Sequence, residues 1–185
     1  MLPRRVLPGV LPGLSALVLL AGCGGGGPEV VETPYTGGQH TAGPVDYAQT
    51  PPVGGPHDPQ WADCTGSVYA APIRPENAVH SLEHGAVWIT YDPDRVDADD
   101  LAALVGLVEG QQATMLSPYP GQPTPVSLQA WAVQLALDEL DTDAVEDFLT
   151  EYRLAPDGAP EPGASCEMPD FLDRPLAPGD ASNAA

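Results

Sequence analysis

The chain has no lysine. Its six basic side chains are all arginines, set against 26 acidic ones, for a formal net charge of −20 over 185 residues. Such a surface repels phosphate backbones and anionic headgroups, which argues against a nucleic-acid partner and leaves a solvated acidic face or a cation-attracting one. Cysteine is also scarce, with only Cys23, Cys64 and Cys166. There is no glycine-rich phosphate loop, no G-x-S-x-G nucleophile elbow, no internal repeat and no apolar run of the ~20 residues a membrane-crossing helix needs. Nucleotide-binding, serine-hydrolase, repeat and transmembrane architectures therefore find no support.

The first residues read "MLPRRVLPGVLPGLSALVLLAGC". A basic start at Arg4 and Arg5, a short apolar stretch and small residues before a cysteine make this a secretory signal peptide over residues 1–22. Its end, "LAGC", resembles a bacterial lipobox. That resemblance implies cleavage before Cys23, lipid attachment at Cys23, and anchoring to the outer face of the cytoplasmic membrane. Cleavage would remove two arginines and no acid, so the mature chain would be more acidic still. Residues 23–38, glycine followed by proline, threonine and acids, read as a flexible tether. The tail over 155–185 is acidic, proline-rich and mostly irregular in composition. One folded domain is expected between them, over 39–154.

With Cys23 assigned to lipid, Cys64 and Cys166 form an even pair in an oxidising compartment and are expected to bond to each other. The bridge would close a loop of about a hundred residues and fasten the tail to the domain. The alternative use of these thiols is as metal ligands.

Within the domain, residues 43–75 are dominated by turn formers, and proline there denies the backbone its donors and disfavours helix. The embedded Tyr47, Trp61 and Tyr69 predict an ordered loop, with a short strand near Ser67 to Tyr69. "AVWITYDP" reads as a central strand. "VDADDLAALVGLVEGQQ" places Leu101, Leu104, Val105 and Val108 at helical spacing behind Asp97 as cap, predicting a helix over 98–111. "ATMLSPYP" and "VSLQAWAVQLAL", separated by "GQPTP", suggest a hairpin. "DTDAVEDFLTEYRL" predicts a second amphipathic helix capped by Asp141 or Thr142. The expected fold class is α+β, a small, mainly antiparallel sheet with two amphipathic helices on one face and a long proline-rich ordered loop.

The chemistry-bearing residues gather in the first half of that domain. All four histidines, His40, His57, His80 and His84, precede or adjoin the central strand. "HSLEH", from His80 to His84, matches the H-x-x-E-H letters of one class of zinc peptidases. If this stretch is a helical turn stopped by Gly85, positions four apart lie about 6 Å from each other on one face. If it is already strand, they lie roughly 13 Å apart and no single ion at ~2.1 Å bonds could hold both. Asn77 or Glu76 near the start and the glycine stop favour the turn.

The blocks "TPPVGGPHDPQW", "GSVY", "VHSLEHGAVWITY", "MLSPYPG" and "QAWAVQL", in this order and spacing, resemble the signature of the DUF3105-type family of uncharacterised exported or membrane-anchored bacterial domains. The similarity covers roughly Gln39 to Leu154. Where that family usually carries a hydroxyl residue near the first glycine of "PPVGGPH", Val53 and Gly54 stand here, while His57 is retained. The family has no assigned activity, so the resemblance implies no reaction. The zinc peptidases are similar only in five letters, since theirs lie on a long helix of a much larger enzyme.

Three functional readings follow. The first is a transition-metal site, copper before zinc, built from His57, His80 and His84 with His40 as a further nitrogen. Met115 would supply the soft thioether that suits copper, and Glu83 a carboxylate that suits zinc. The second is a cell-envelope interaction module whose Pro51 to Trp61 loop docks a protein while the histidines are structural. The third is a small enzyme in which Glu83 orients His84 as acid or base.

Overall fold

The computed structural model describes residues 29–183. The signal peptide over 1–22, Cys23 and the first part of the tether lie outside the described residues. Among the described residues no helix is long and apolar enough to cross a membrane.

One six-stranded sheet organises the domain. Its strands are β1 (Val30–Glu32), β2 (Thr65–Val68), β3 (Val87–Tyr91), β4 (Thr114–Pro118), β5 (Val126–Ala130) and β6 (Val133–Leu137), in the spatial order β1-β6-β5-β3-β4-β2. The α+β class holds, but the sheet is mixed and not mainly antiparallel. β1, β6, β5 and β3 pair antiparallel, whereas β4 runs parallel to both β3 and β2. The cause lies in the connection: α2 (Ala98–Val108) carries the chain from the end of β3 back to the start of β4, and a crossover of that length returns the next strand in the same direction.

β4 and β5 accordingly do not form the expected hairpin. β3 lies between them, and the hairpin is β5 with β6, closed at Trp131 and Ala132, where Ala132 takes φ 65°. The segment read as tether differs as well, since residues 30–32 pair with β6 as an edge strand.

Alternation along the strands splits the core in two. Val87, Ile89, Leu116, Leu128 and Leu135 face α2 and α3 (Thr142–Tyr152), which contribute Leu104 and Val108, and Val145, Phe148 and Leu149. Asp97 caps α2 by accepting from the Asp99 and Asp100 amides, and Asp141 caps α3 through the Ala144 amide. Trp88 and Met115 face the other way, into a cluster with Ala78, Val79 and Leu82 of α1 (Pro75–Glu83), together with Tyr69, Trp131 and Phe171 of α4 (Pro169–Asp173). α1 is therefore the element that carries "HSLEH", and every residue from Glu76 to Glu83 is buried.

Its C-terminal end is closed by a glycine in the left-handed region. Gly85 has φ 88°, its amide donates to the Leu82 carbonyl at 2.9 Å, and the Ala86 amide donates to the Ser81 carbonyl at 3.1 Å. That pair of bonds is the Schellman stop, and it ends the helix at Glu83 with His84 as its C-cap, so that β3 can begin at Val87.

Candidate metal centre

α1 turns its apolar residues Ala78, Val79 and Leu82 to the core, and its polar side meets the long loop. The Asn77 amide nitrogen Nδ2 donates to the Gln60 carbonyl at 2.7 Å, the Ser81 hydroxyl to the Ala62 carbonyl at 2.7 Å, and the Asp58 amide to the Glu76 carbonyl at 3.1 Å. Arg74, just before the helix, donates to the Asp58 carboxylate at 2.5 Å with both side chains buried. This lattice fixes the loop at 57–62 against α1 and brings His57 over His80 and Glu83.

A second strand-like contact adds His40. His40 and His57 form an isolated parallel bridge, in which the His57 amide donates to the Gln39 carbonyl at 2.9 Å and the Thr41 amide to the His57 carbonyl at 2.7 Å. Three imidazole rings then stand together, His40 with His57 at 4.9 Å, His40 with His80 at 4.9 Å and His57 with His80 at 4.8 Å between centroids. One ligand atom from each of His40, His57, His80 and Glu83 lies within 4.8 Å of every other, so this group could hold a metal ion. Ligand atoms of a tetrahedral site at ~2.1 Å bonds are separated by about 3.4 Å, so small side-chain rotations close the cluster.

The hydrogen bonds around the cluster point the same way. His57 donates its Nδ1 hydrogen to the Gly55 carbonyl at 2.8 Å and His80 its Nδ1 hydrogen to the Asp58 carbonyl at 2.6 Å. Each Nδ1 is thereby occupied and each ring is held with Nε2 as its remaining nitrogen, the arrangement by which outer-shell carbonyls orient ligating histidines. Glu83 accepts from the Gly38 amide at 2.5 Å on Oε1, which leaves Oε2 for the interior. Oε2 stands 2.8 Å from His57 Nε2, both side chains fully enclosed, yet the alignment is not that of an N–H···O bond and both atoms lack a hydrogen-bond partner. A buried carboxylate oxygen and imidazole nitrogen left without hydrogen-bond partners are costly unless a positive charge serves them.

Burial pushes the His80 imidazole down to about 3, with His84, His57 and His40 reinforcing the effect and the Asp58 carbonyl opposing it. The ring is thus neutral across the physiological range, which is the form that binds metal.

His84 and Met115 occupy different places from those the sequence suggested. His84 lies beside His80 at 4.6 Å between ring centroids but is not in the mutually close group. Its Nδ1 donates to the Ser165 carbonyl at 2.7 Å and its Nε2 faces Glu161 at 4.0 Å. Its pKa is lowered by burial, against the opposing pull of the Ser165 carbonyl, Glu161 and Glu83. Glu83 makes no hydrogen bond to His84, so the orienting role expected of it falls to the Ser165 carbonyl. Met115 is fully buried in the apolar cluster under α1, opposite Trp88 across the β3–β4 pair. Trp61, expected as part of a docking surface, packs its ring edge-on against His80 at 5.4 Å and His84 at 4.9 Å.

Sequence reasoning missed the groups that aim the ligands: the carbonyls of Gly55 and Asp58, the Gly38 amide and the Arg74–Asp58 pair. Asp58, directly after His57, was the one visible signal. The tail also reaches the site. Cys64 and Cys166 form a disulfide across 102 residues, which sets Ser165 on His84, while the Glu161 amide donates to the Glu83 carbonyl at 3.0 Å.

The profile of the protein family of unknown function DUF3105 matches residues 39–168, and the chain belongs to that family. No curated protein and no solved structure matches.

Proposed function

We propose that this chain is a lipid-anchored extracytoplasmic protein that binds one divalent transition-metal ion through His57, His80, Glu83 and His40. The observation that carries the reading is the enclosed pair of unpartnered atoms, His57 Nε2 and Glu83 Oε2, 2.8 Å apart. A cation satisfies both at once, and the carbonyl-held Nδ1 atoms keep the imidazoles in the ligating tautomer.

The donor set decides the order of metals. Copper came first only on the strength of a thioether, and Met115 is accounted for as core. Three imidazoles and one carboxylate favour zinc, with copper(II) the competitor because imidazole serves both. The docking reading has less support, since residues 51–55 are buried and Trp61 covers imidazoles. Export and anchoring rest on "LAGC" and on the disulfide, which belongs to oxidising compartments.

Elemental analysis and zinc and copper titration of the purified full chain test the binding, beside a His80→Ala variant shown to be folded by circular dichroism. One equivalent bound in the wild type and lost in the variant supports it. No binding, or equal binding in both, rejects it.

A further inference from the structure

The four candidate ligands are not equivalent. His57 and Glu83 side chains are wholly enclosed and His80 is 4% exposed, whereas the His40 side chain is 45% exposed. The buried three are each held from behind, His57 by Gly55, His80 by Asp58 and Glu83 by Gly38. The His40 ring makes no hydrogen bond among the described residues. Its contacts are the two neighbouring imidazoles, lying nearly parallel to His80 at 27°, and a 3.9 Å approach to Glu83 Oε2.

The backbone beneath His40 is nevertheless fixed. The Gly38, Thr41 and Val45 amides donate to Glu83, to the His57 carbonyl and to Glu76 respectively. Rotation of the His40 side chain alone therefore takes the ring into solvent while the segment stays in place. Exposed side chains make such rotations in picoseconds to nanoseconds, so no chain movement is needed to turn the ring outward.

We propose that His57, His80 and Glu83 form a permanent three-ligand seat and that His40 is a displaceable fourth ligand, whose position on the metal a neutral imidazole-type donor from outside can take. The inference rests on the metal-binding reading above. Two buried imidazoles and one carboxylate with an exchangeable position form a recognised seat for metals that meet external ligands. In the exchange one metal–nitrogen bond breaks as another forms, the His40 ring moves into water, and the charge and oxidation state of the ion are unchanged. The entering donor is neutral because a chain of net charge −20 repels anions on approach. A histidine of a protein that receives the metal is such a donor.

Cobalt(II) is the probe, since its visible absorption reports both the number and the kind of ligands. The full chain, His40→Ala, His80→Ala and Glu83→Gln are titrated with cobalt(II), with folding of each verified by thermal melting. The expected result is stoichiometric cobalt(II) in His40→Ala with an altered spectrum that added imidazole returns to the wild-type form, while azide restores it poorly. His80→Ala and Glu83→Gln should lose affinity by more than the roughly 10–100-fold that disturbing an outer-shell partner costs, with no recovery on adding imidazole. If His40→Ala loses cobalt(II) as fully as His80→Ala, or if imidazole leaves its spectrum unchanged, His40 is not the exchangeable ligand although the metal site stands. Recovery by azide equal to that by imidazole overturns the neutral-donor claim. A wild-type chain that takes up no cobalt(II) removes the metal-binding reading itself, and this inference with it.

Discussion

His57 Nε2 and Glu83 Oε2 face each other at 2.8 Å inside the protein, shielded from solvent and without a hydrogen bond between them. His57 Nδ1 is committed to the Gly55 carbonyl and Glu83 Oε1 to the Gly38 amide, so neither group can relieve the contact by turning round. Under the proposed reading a bound cation would give both atoms a partner, whereas without one an enclosed carboxylate oxygen lacks it.

Glu83→Gln separates those two effects. The amide keeps its oxygen on Gly38 and removes the buried carboxylate charge that faces His57. The metal-free variant should be at least as stable as the wild type, because an enclosed charge is removed, while metal uptake falls. Denaturant unfolding without metal and a zinc titration check the two halves. A variant that is both less stable and equally competent in binding contradicts the assignment.

Acid should destabilise the metal-free protein through His80 and His84. Both imidazoles are less basic folded than unfolded because they are buried, so the unfolded chain takes up the protons first. The sign follows: the stability these groups confer is complete above about 6.5, their ordinary value, and is lost as pH falls. For His80 the loss continues to about 3, at a limiting slope of about 1.4 kcal/mol per pH unit for each group. Unfolding free energy measured by denaturant at pH 7.5 and 5.5 tests it, with His84→Gln expected to flatten part of the slope. A stability that rises on acidification through this window contradicts the burial account.

The Cys64–Cys166 bridge closes a separation of 102 residues, worth roughly 4 to 5 kcal/mol in the chain-entropy description. Its loss also frees the segment that carries the Ser165 carbonyl and the Glu161 amide. A Cys64→Ser, Cys166→Ser double variant should unfold at lower denaturant and bind metal more weakly, because the Glu83 backbone loses a tether. Unfolding curves with and without reductant should coincide for the variant and differ for the wild type.

Arg74 and Asp58 form a buried ion pair at 2.5 Å, with Arg74 also donating to Asn77 at 3.2 Å. Arg74→Met leaves the Asp58 carboxylate enclosed without its cation, a change that typically costs 3–5 kcal/mol. Since the Asp58 carbonyl orients His80, affinity should fall as well. Changing both partners, as Arg74→Met with Asp58→Asn, should recover part of the stability. A single variant as stable as the wild type would show that this pair does not hold the loop.

The sequence disclosed the candidate ligands more readily than the strand pairings. Four histidines near one strand, and two of them bracketing Leu82 and Glu83 before a glycine, sufficed to suggest a cluster, and Gly85 decided for helix over strand. Which imidazoles converge was not legible, because His40 and His57 meet through a backbone bridge that joins residues 17 positions apart. Met115 misled for a related reason: its residue type suits a metal, but its register opposite Trp88 sends it into the core. The helices were visible through their caps, Asp97 and Asp141, whose spacing to the apolar stripe is local. The mixed sheet was not, since the direction of β4 is set by what α2 does in space. The true hairpin turn carries no glycine or asparagine at its left-handed residue, Ala132, and so gave no signal.

The most direct measurement is anomalous diffraction at the zinc absorption edge from crystals of the full chain grown with one equivalent of zinc. The account predicts a single strong peak about 2.1 Å from His57 Nε2, His80 Nε2 and Glu83 Oε2, with His40 as the nearest further donor. Crystals in which that space holds no anomalous scatterer, or in which zinc sits only on the acidic surface, would contradict it.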